Sequence, residues 1–176
     1  KAYLARGGRI LLMLEAYQDG GLKDFLGSYG IVPEDGMILD RNQVSQALGI
    51  SPVMPLALDY GPSPITRDFK NVVTVYPLSR PLNLKRDNKE AVLLPLVISM
   101  ASSWEKTGQD WLKEKRVEFD PQKDRKGPFT LAALAETKAA SPKETGPDKG
   151  EKPKEEQKGY LAAFGDVDFA SNSYFN

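Results

Sequence analysis

The 176-residue chain contains no cysteine and no histidine. Those two absences exclude Cys–His and Ser–His–Asp nucleophile systems within the chain, and with them thiolate or imidazole zinc sites. What survives is carboxylate, hydroxyl, lysine and arginine chemistry, plus oxygen-ligand sites for magnesium or calcium. The lack of cysteine is compatible with either redox compartment. An excess of either charge is missing too: 24 Lys and Arg balance 24 Asp and Glu. A net charge of zero offers no electrostatic footprint for nucleic acid or an anionic membrane, so no nucleic-acid partner is expected. No apolar run reaches the roughly 18–20 residues needed to cross a bilayer. "ILLMLEA" and "AVLLPLVISMA" are the longest candidates, and both read better as buried strands. The opening "KAYLARGGR" has neither the apolar core of a signal peptide nor an initiator Met. The sequence therefore reads as an excised piece of a larger protein, with membrane contact only through segments outside it.

What is present suits one domain over residues 1–176, long enough to bury on the order of two-thirds of its unfolded surface. "AYLARGG" is the last turn of a helix stopped by Gly7 and Gly8, and "RILLMLE" follows as a continuous apolar run, the pattern of a strand covered on both faces. Leu22, Phe25, Leu26 and Tyr29 recur at helical spacing before Gly30, and Asp35-Gly36 marks a turn before a strand at Met37 to Leu39. "LALDYGPSPITRDF" pairs an extended segment with a proline-broken loop; "NVVTVYPL" is a β-branched strand. Pro95 interrupts "AVLLPLVISMA" and calls for an edge position, a bulge, or a strand that starts after it. Phe129 to Leu134 reads as a strand pairing with Tyr160 to Phe164. Between them, residues 138–158 carry no Leu, Ile, Val or aromatic side chain and are expected to form a charged, flexible insertion loop.

The most chemical-looking stretch is "GYLAAFGDVDFASN", where Asp166 and Asp168 follow an apolar strand and Ser171 and Asn172 add oxygens. In open α/β sheets ligands bind beyond the carboxyl ends of strands, which is where these residues fall. The competing reading has Asp166 accepting backbone N–H bonds in a turn, with Asp168 or Ser171 as a cap. "FDPQKDRKG" lacks the ligand order and distal Glu of a calcium loop, and "ARGGR" precedes a strand instead of opening a helix, which is the wrong geometry for phosphate. Trp104 and Trp111 in "SSWEKTGQDWLKE" suit either half-buried core positions or a stacking platform.

Taken in order, "YLARGGRILLMLEA", "LKDFLGSYGI", "DGMILDR", "SPITRDF", "SSWEKT", "KGPFTLAALAE" and "GDVDFASNSYF" resemble the extracytoplasmic domain of the ABC-transporter auxiliary family associated with gliding motility. The resemblance implies a glutamine-amidotransferase-like α/β domain, related to one shared with intraflagellar transport proteins, without an amidotransferase active site. It implies an anchor outside this chain, a place on the periplasmic side of the membrane, and permease and ATPase subunits of the same system as partners. Ser63-Pro64 stands where the family leads one to expect His-Pro, so no role of that histidine carries over. The chain would also begin in the middle of the family's domain, leaving a sheet edge open to another copy or to the missing segment.

The expectations are thus an α/β three-layer sandwich with a mainly parallel sheet, as an incomplete domain fragment. The expected function is a non-enzymatic auxiliary domain, without cofactor or metal, acting through protein or glycan contacts. Its candidate binding residues are Asp166, Asp168, Ser171, Asn172, Ser63 and Trp104. Two alternatives stand beside it: a carboxylate-dependent hydrolase using Asp166 and Asp168 with Asp59 or Asp120, and a solute- or carbohydrate-binding module with a pocket lined by Trp104 and Tyr60.

Overall fold

A computed structural model describes residues 1–18, 20–114, 117–137 and 158–171. The charged insertion expected at 138–158 lies, apart from Lys158, outside the described residues, as does Asn172. Helix α1 (Ala2–Ala5) leads into strand β1 (Arg9–Met13), and α2 (Lys23–Gly27) precedes β2 (Ile31–Pro33) and β3 (Gly36–Leu39). After α3 (Gln43–Ala47) come β4 (Leu56–Tyr60), β5 (Thr74–Val75), β6 (Leu82–Leu84) and β7 (Ala91–Ser99). The chain continues through β8 (Trp104–Thr107), β9 (Arg125–Lys126), β10 (Thr130–Thr137) and β11 (Tyr160–Phe164).

The strands form two sheets. The larger runs β1-β11-β10-β7-β4-β5, with β6 joining β10 and β2 joining β6; the smaller runs β3-β8-β9. Among these pairings only β1 with β11 is parallel; the others are antiparallel. The large sheet is curled into a half-barrel, and the protein is 34% strand against 16% helix. This overturns the expected three-layer sandwich with a mainly parallel sheet. Parallel neighbours need a crossover of roughly a dozen residues or more, usually a helix, whereas α1, α2 and α3 span four, five and five residues. Helices that short do not supply such crossovers.

The misreading came from long apolar runs. A continuous run signals a strand buried on both faces; β10 is buried so, with Leu131 to Ala135 all buried, but "RILLM" in β1, for which that cover was expected, leaves Arg9, Leu11 and Met13 exposed. Nor does such a run fix the direction of the neighbours. In β10 Ala133 and Ala135 pack on one face with Leu4, Leu26, Ile31 and Leu161. On the other face Ala132 and Leu134 join Ile38, Tyr76, Leu96 and Phe129. On the first face Leu4 of α1 and Leu26 of α2 give part of the cover; on the second, Ile38 of the small sheet and the curl of the large sheet replace the helix layer that was expected.

The expected pairing of the runs flanking the insertion is present: β10 and β11 are antiparallel, with Ala132 opposite Phe164 and Glu136 opposite Tyr160. Pro95 sits in a central strand, not at an edge. It is accommodated by a bulge, since Ala132 pairs with Val97 and the next residue, Ala133, with Pro95, leaving Leu96 extra. On its other side β4 has already ended, its last pair being Tyr60 with Val97. The chain turns away there at Gly61, whose N–H donates to Leu96 O at 3.1 Å. A Cβ at Gly61 would lie 1.8 Å from Pro95 O, so only glycine permits this approach. Among the described residues no helix is long and apolar enough to cross a membrane.

Candidate functional site: an aromatic-walled cavity under the 61–72 loop

Because β4 ends at Tyr60 and β5 does not begin until Thr74, the intervening chain arches over the end of the sheet. Its course is held locally. Ser63 Oγ accepts the Ile65 N–H at 3.2 Å, Thr66 Oγ1 donates to Gly61 O, and a 3-10 turn covers Arg67–Phe69. Two openings flank this arch. A wider one of about 650 Å³ is lined by Leu58, Pro62 and Pro64 together with Asp59, Ser63, Arg67, Lys70 and Asn71. An apolar one of about 340 Å³ lies between the arch and the sheet, with Ile65, Phe69, Val75, Tyr76, Leu96, Phe164 and Phe169 as walls. Tyr60 and Thr66 line both.

The apolar cavity is framed by aromatic pairs. Tyr60 and Phe69 have centroids 5.3 Å apart, Tyr76 and Phe169 5.5 Å, and Phe164 stacks on Phe169 at 5.1 Å. Tyr60 Oη lies 2.7 Å from Thr74 Oγ1 and 3.1 Å from the carbonyls of Ala57 and Val72, which pins one ring to the floor. The arch itself leaves Ile65, Phe69, Val72 and Val73 exposed, with Leu58 beside them. An apolar recess with an apolar rim is a surface that folding has not used up.

Asp166 stands behind the Phe164–Phe169 wall. Its carboxylate is 1% exposed, and Oδ1 accepts the N–H of Asp168 at 2.6 Å and of Phe169 at 3.2 Å. These bonds start the 3-10 turn Asp168–Ala170 and aim the Phe169 ring at the cavity. Oδ2 is buried with no partner among the described residues, as is Ser171 Oγ. Burial pushes the Asp166 carboxyl up to about 7 despite the two backbone donors, which act in the opposite direction. This is the geometry of a turn-holding carboxylate.

The residues singled out from sequence therefore separate. Ser63 lines the wider opening; Asp166 and Asp168 stand at the start of the turn that carries Phe169. Trp104 is elsewhere, 4% exposed in a third cluster with Met37, Leu39 and Trp111, and edge-on to Phe119 at 6.5 Å. Tyr60, named from sequence as a pocket residue with Trp104, lines the cavity without it. Asp120 belongs to a different turn, where its N–H is bonded to Asp124 Oδ2 at 2.7 Å. Among the described residues no three acids gather into a group able to hold a metal ion.

Sequence reasoning passed over Phe69, Phe169 and Arg80. The two phenylalanines follow Asp68 and Asp168 in loops, where no periodicity marks them as cavity walls. Arg80, in "SRP", is fully buried and donates to the carbonyls of Glu15 (3.1 Å), Gln18 (2.8 Å) and Glu34 and to Asp35 Oδ1 (3.3 Å). Its own N–H donates to Gly165 O at 2.6 Å, immediately before Asp166. A Cβ at Gly165 would lie 2.1 Å from Arg80 O, which explains the glycine of "FGDVDF".

The fold and site together define a β-rich domain with an open aromatic cavity and a carboxylate committed to its own backbone. The chain belongs to the family described as ABC-type uncharacterized transport system, whose profile matches residues 1–176. No curated protein and no solved structure matches it. Membership makes the chain an auxiliary component of an ABC-type transport system.

Proposed function

We propose that this domain is a non-catalytic docking subunit of its transport system, and that its apolar cavity receives an apolar side chain presented by a partner polypeptide of that system. The carrying observation is the 340 Å³ recess lined by Phe69, Phe169 and the exposed Ile65, under a loop that also leaves Val72 and Val73 exposed. Binding energy at protein interfaces concentrates in such recesses, where a large side chain is fully desolvated and its surroundings exclude water. The volume is at the low end of the roughly 300–1,000 Å³ usual for small-molecule sites, which favours an anchoring side chain over a bulky solute. The hydrolase reading lacks support, because Asp166 Oδ1 is occupied by backbone donors. The binding-module reading keeps Tyr60 and loses Trp104. The partners proposed are the permease and ATPase subunits. The proposal extends, on the sequence resemblance, to a place on the outer face of the membrane and to a gliding-motility type of system.

The test is co-purification of the permease and ATPase with the wild-type protein and with Phe69→Glu. Loss of association by tenfold or more, with the far-UV spectrum and melting temperature retained, is the expected result. Equal recovery of both subunits by a folded Phe69→Glu variant would exclude the cavity as the docking point.

A further inference from the structure

The two openings that flank the arch share a margin at Tyr60 and Thr66. We infer that together they form one bipartite site for an aromatic side chain with a carboxylate beside it, presented by a partner segment in which an Asp or Glu adjoins the aromatic residue. This rests on the docking role proposed for the recess and names the chemistry of the segment that docks.

The arch divides its side chains between the two openings. Ile65 and Phe69 line the recess, Arg67, Lys70 and Asn71 line the wider opening, and Thr66 reaches both. The 3-10 turn Arg67–Phe69 makes that division within three residues. An anchor seated against Phe69 thus has cationic side chains one and two positions away in the arch. Consecutive residues of a partner segment, about 3.8 Å apart at Cα, can occupy both sides of the shared margin.

The recess suits a ring. Tyr60, Phe69, Tyr76, Phe164 and Phe169 all contribute to its walls. The Tyr60–Phe69 and Tyr76–Phe169 pairs are tilted at 48° and 50°, so rings stand at several orientations around one space. An aromatic guest can meet both edges and faces, the arrangements that aromatic pairs prefer, whereas an aliphatic guest gains only the burial of its area.

The wider opening suits an anion. Arg67 and Lys70 are two cations against one acid, Asp59, among its lining residues, in a chain whose formal net charge is zero. Arg67 meets Asp68 through Nε alone, at 3.4 Å, with the two side chains 74% and 85% exposed. So exposed a pair holds little and is readily exchanged for another carboxylate. Lys70 has no ion-pair partner among the described residues. A carboxylate is the group that a guanidinium and an ammonium on one rim complement.

Three peptides separate the ring from the charge: acetyl-Asp-Phe-Asp-amide, acetyl-Asn-Phe-Asn-amide and acetyl-Asp-Leu-Asp-amide, each titrated into the whole chain at low salt and followed by amide chemical shifts. The first should bind about three- to tenfold more tightly than either of the others, with shifts at Phe69 and Lys70. Its advantage over the Asn peptide should vanish in Arg67→Gln/Lys70→Gln and at high salt, and should grow in Asp59→Asn. Equal affinity for the Asp-Phe-Asp and Asn-Phe-Asn peptides would overturn the carboxylate, and equal affinity for the Phe and Leu peptides would overturn the ring. Co-purification keeps this inference apart from the docking role itself. Arg67 and Lys70 are exposed, so Arg67→Glu/Lys70→Glu should keep its melting temperature and lose the permease and ATPase as Phe69→Glu does. Retention of both subunits by Arg67→Glu/Lys70→Glu, with their loss from Phe69→Glu, would overturn the acidic neighbour and leave the recess as docking point. Retention by Phe69→Glu, with the peptide preferences intact, would uphold the bipartite site and overturn docking of those subunits there.

Discussion

Two buried carboxylates, Asp166 and Glu105, are both pushed up to about 7, chiefly by burial. Their surroundings differ. Glu105 faces Arg125 Nη2 at 2.7 Å, and Arg125 also contacts Glu34, so its charge has a cation to meet. At the neighbouring position in β8, Lys106 pairs with Asp124 at 2.9 Å, with both side chains largely buried. Asp166 has two backbone N–H groups and an unpartnered Oδ2. The small sheet thus pairs its buried ions with one another beside buried tryptophans, while the end of the large sheet keeps open apolar space and an acid held by backbone donors alone among the described residues. The difference teaches where stability resides and where it has been withheld.

Arg80 joins the two regions, and its removal should have the largest effect. Five donations from one fully buried guanidinium tie the exit of β1 and the β2–β3 turn, while its backbone N–H holds Gly165. Arg80→Ala would leave buried carbonyls unsatisfied and a void behind them, at a cost of roughly 3–5 kcal/mol. Urea unfolding should register this as a large fall in midpoint, and Arg80→Lys should restore little, since an ammonium cannot reproduce the planar fork. A loss below about 1 kcal/mol would show that the regions are not joined through this residue.

Asp166 offers a sharper contrast through pH. Its folded pKa, about 7, exceeds the ordinary 3.8, so between those values the folded state holds a proton that the unfolded state has released. The stabilisation is fully present below about pH 4 and is lost as pH rises through 7. One unit corresponds to about 1.36 kcal/mol. Allowing for relaxation of the ionised site, the loss between pH 4.5 and 8 should be on the order of 2 kcal/mol. Asp166→Asn retains the Oδ1 acceptor and removes the titration, so its stability should be flatter with pH and should exceed the wild type's at pH 8. Parallel stability curves for the two proteins would refute the assignment. Glu105→Gln provides the comparison, because it leaves Arg125 without its closest buried anion.

Local chemistry was legible in the sequence and global direction was not. The turn at Asp35-Gly36 and the bulge option at Pro95 depend on residues close in sequence or on the geometry of proline and glycine, and the pairing of β10 with β11 on two apolar runs that follow one another in chain order. Whether a neighbouring strand runs parallel depends on the connections, and helices as short as α2 leave only a weak periodic trace. β8 left no strand signal of its own, because Trp104 is followed by Glu105 and Lys106, and the burial of Trp104 and Lys106 arises from pairing with β3 and from Asp124. Asp166 was recognisable as either a site or a cap. Its two backbone donors belong to residues two and three positions later, so the capping alternative was written in the spacing. Phe69 and Phe169, far apart in the chain and lining one cavity, left no local sign.

The smallest effect should come from Phe69→Ala, and its smallness is informative. Truncating a buried Phe or Trp usually costs about 3–5 kcal/mol through lost transfer energy and the cavity left behind; Trp104, sealed among Met37, Leu39 and Trp111, should behave that way. Phe69 is 38% exposed, has one ring contact, with Tyr60, and already borders empty space. No new void is sealed when it is cut back, so less than about 1 kcal/mol should be lost. Thermal unfolding of Phe69→Ala and Trp104→Ala under identical conditions measures the difference directly. A cost for Phe69 approaching that of Trp104 would mean that the ring is core, not rim, and that its apolar area is already committed to folding. A cost near zero leaves that area available for a partner, the condition on which docking at the 61–72 arch depends.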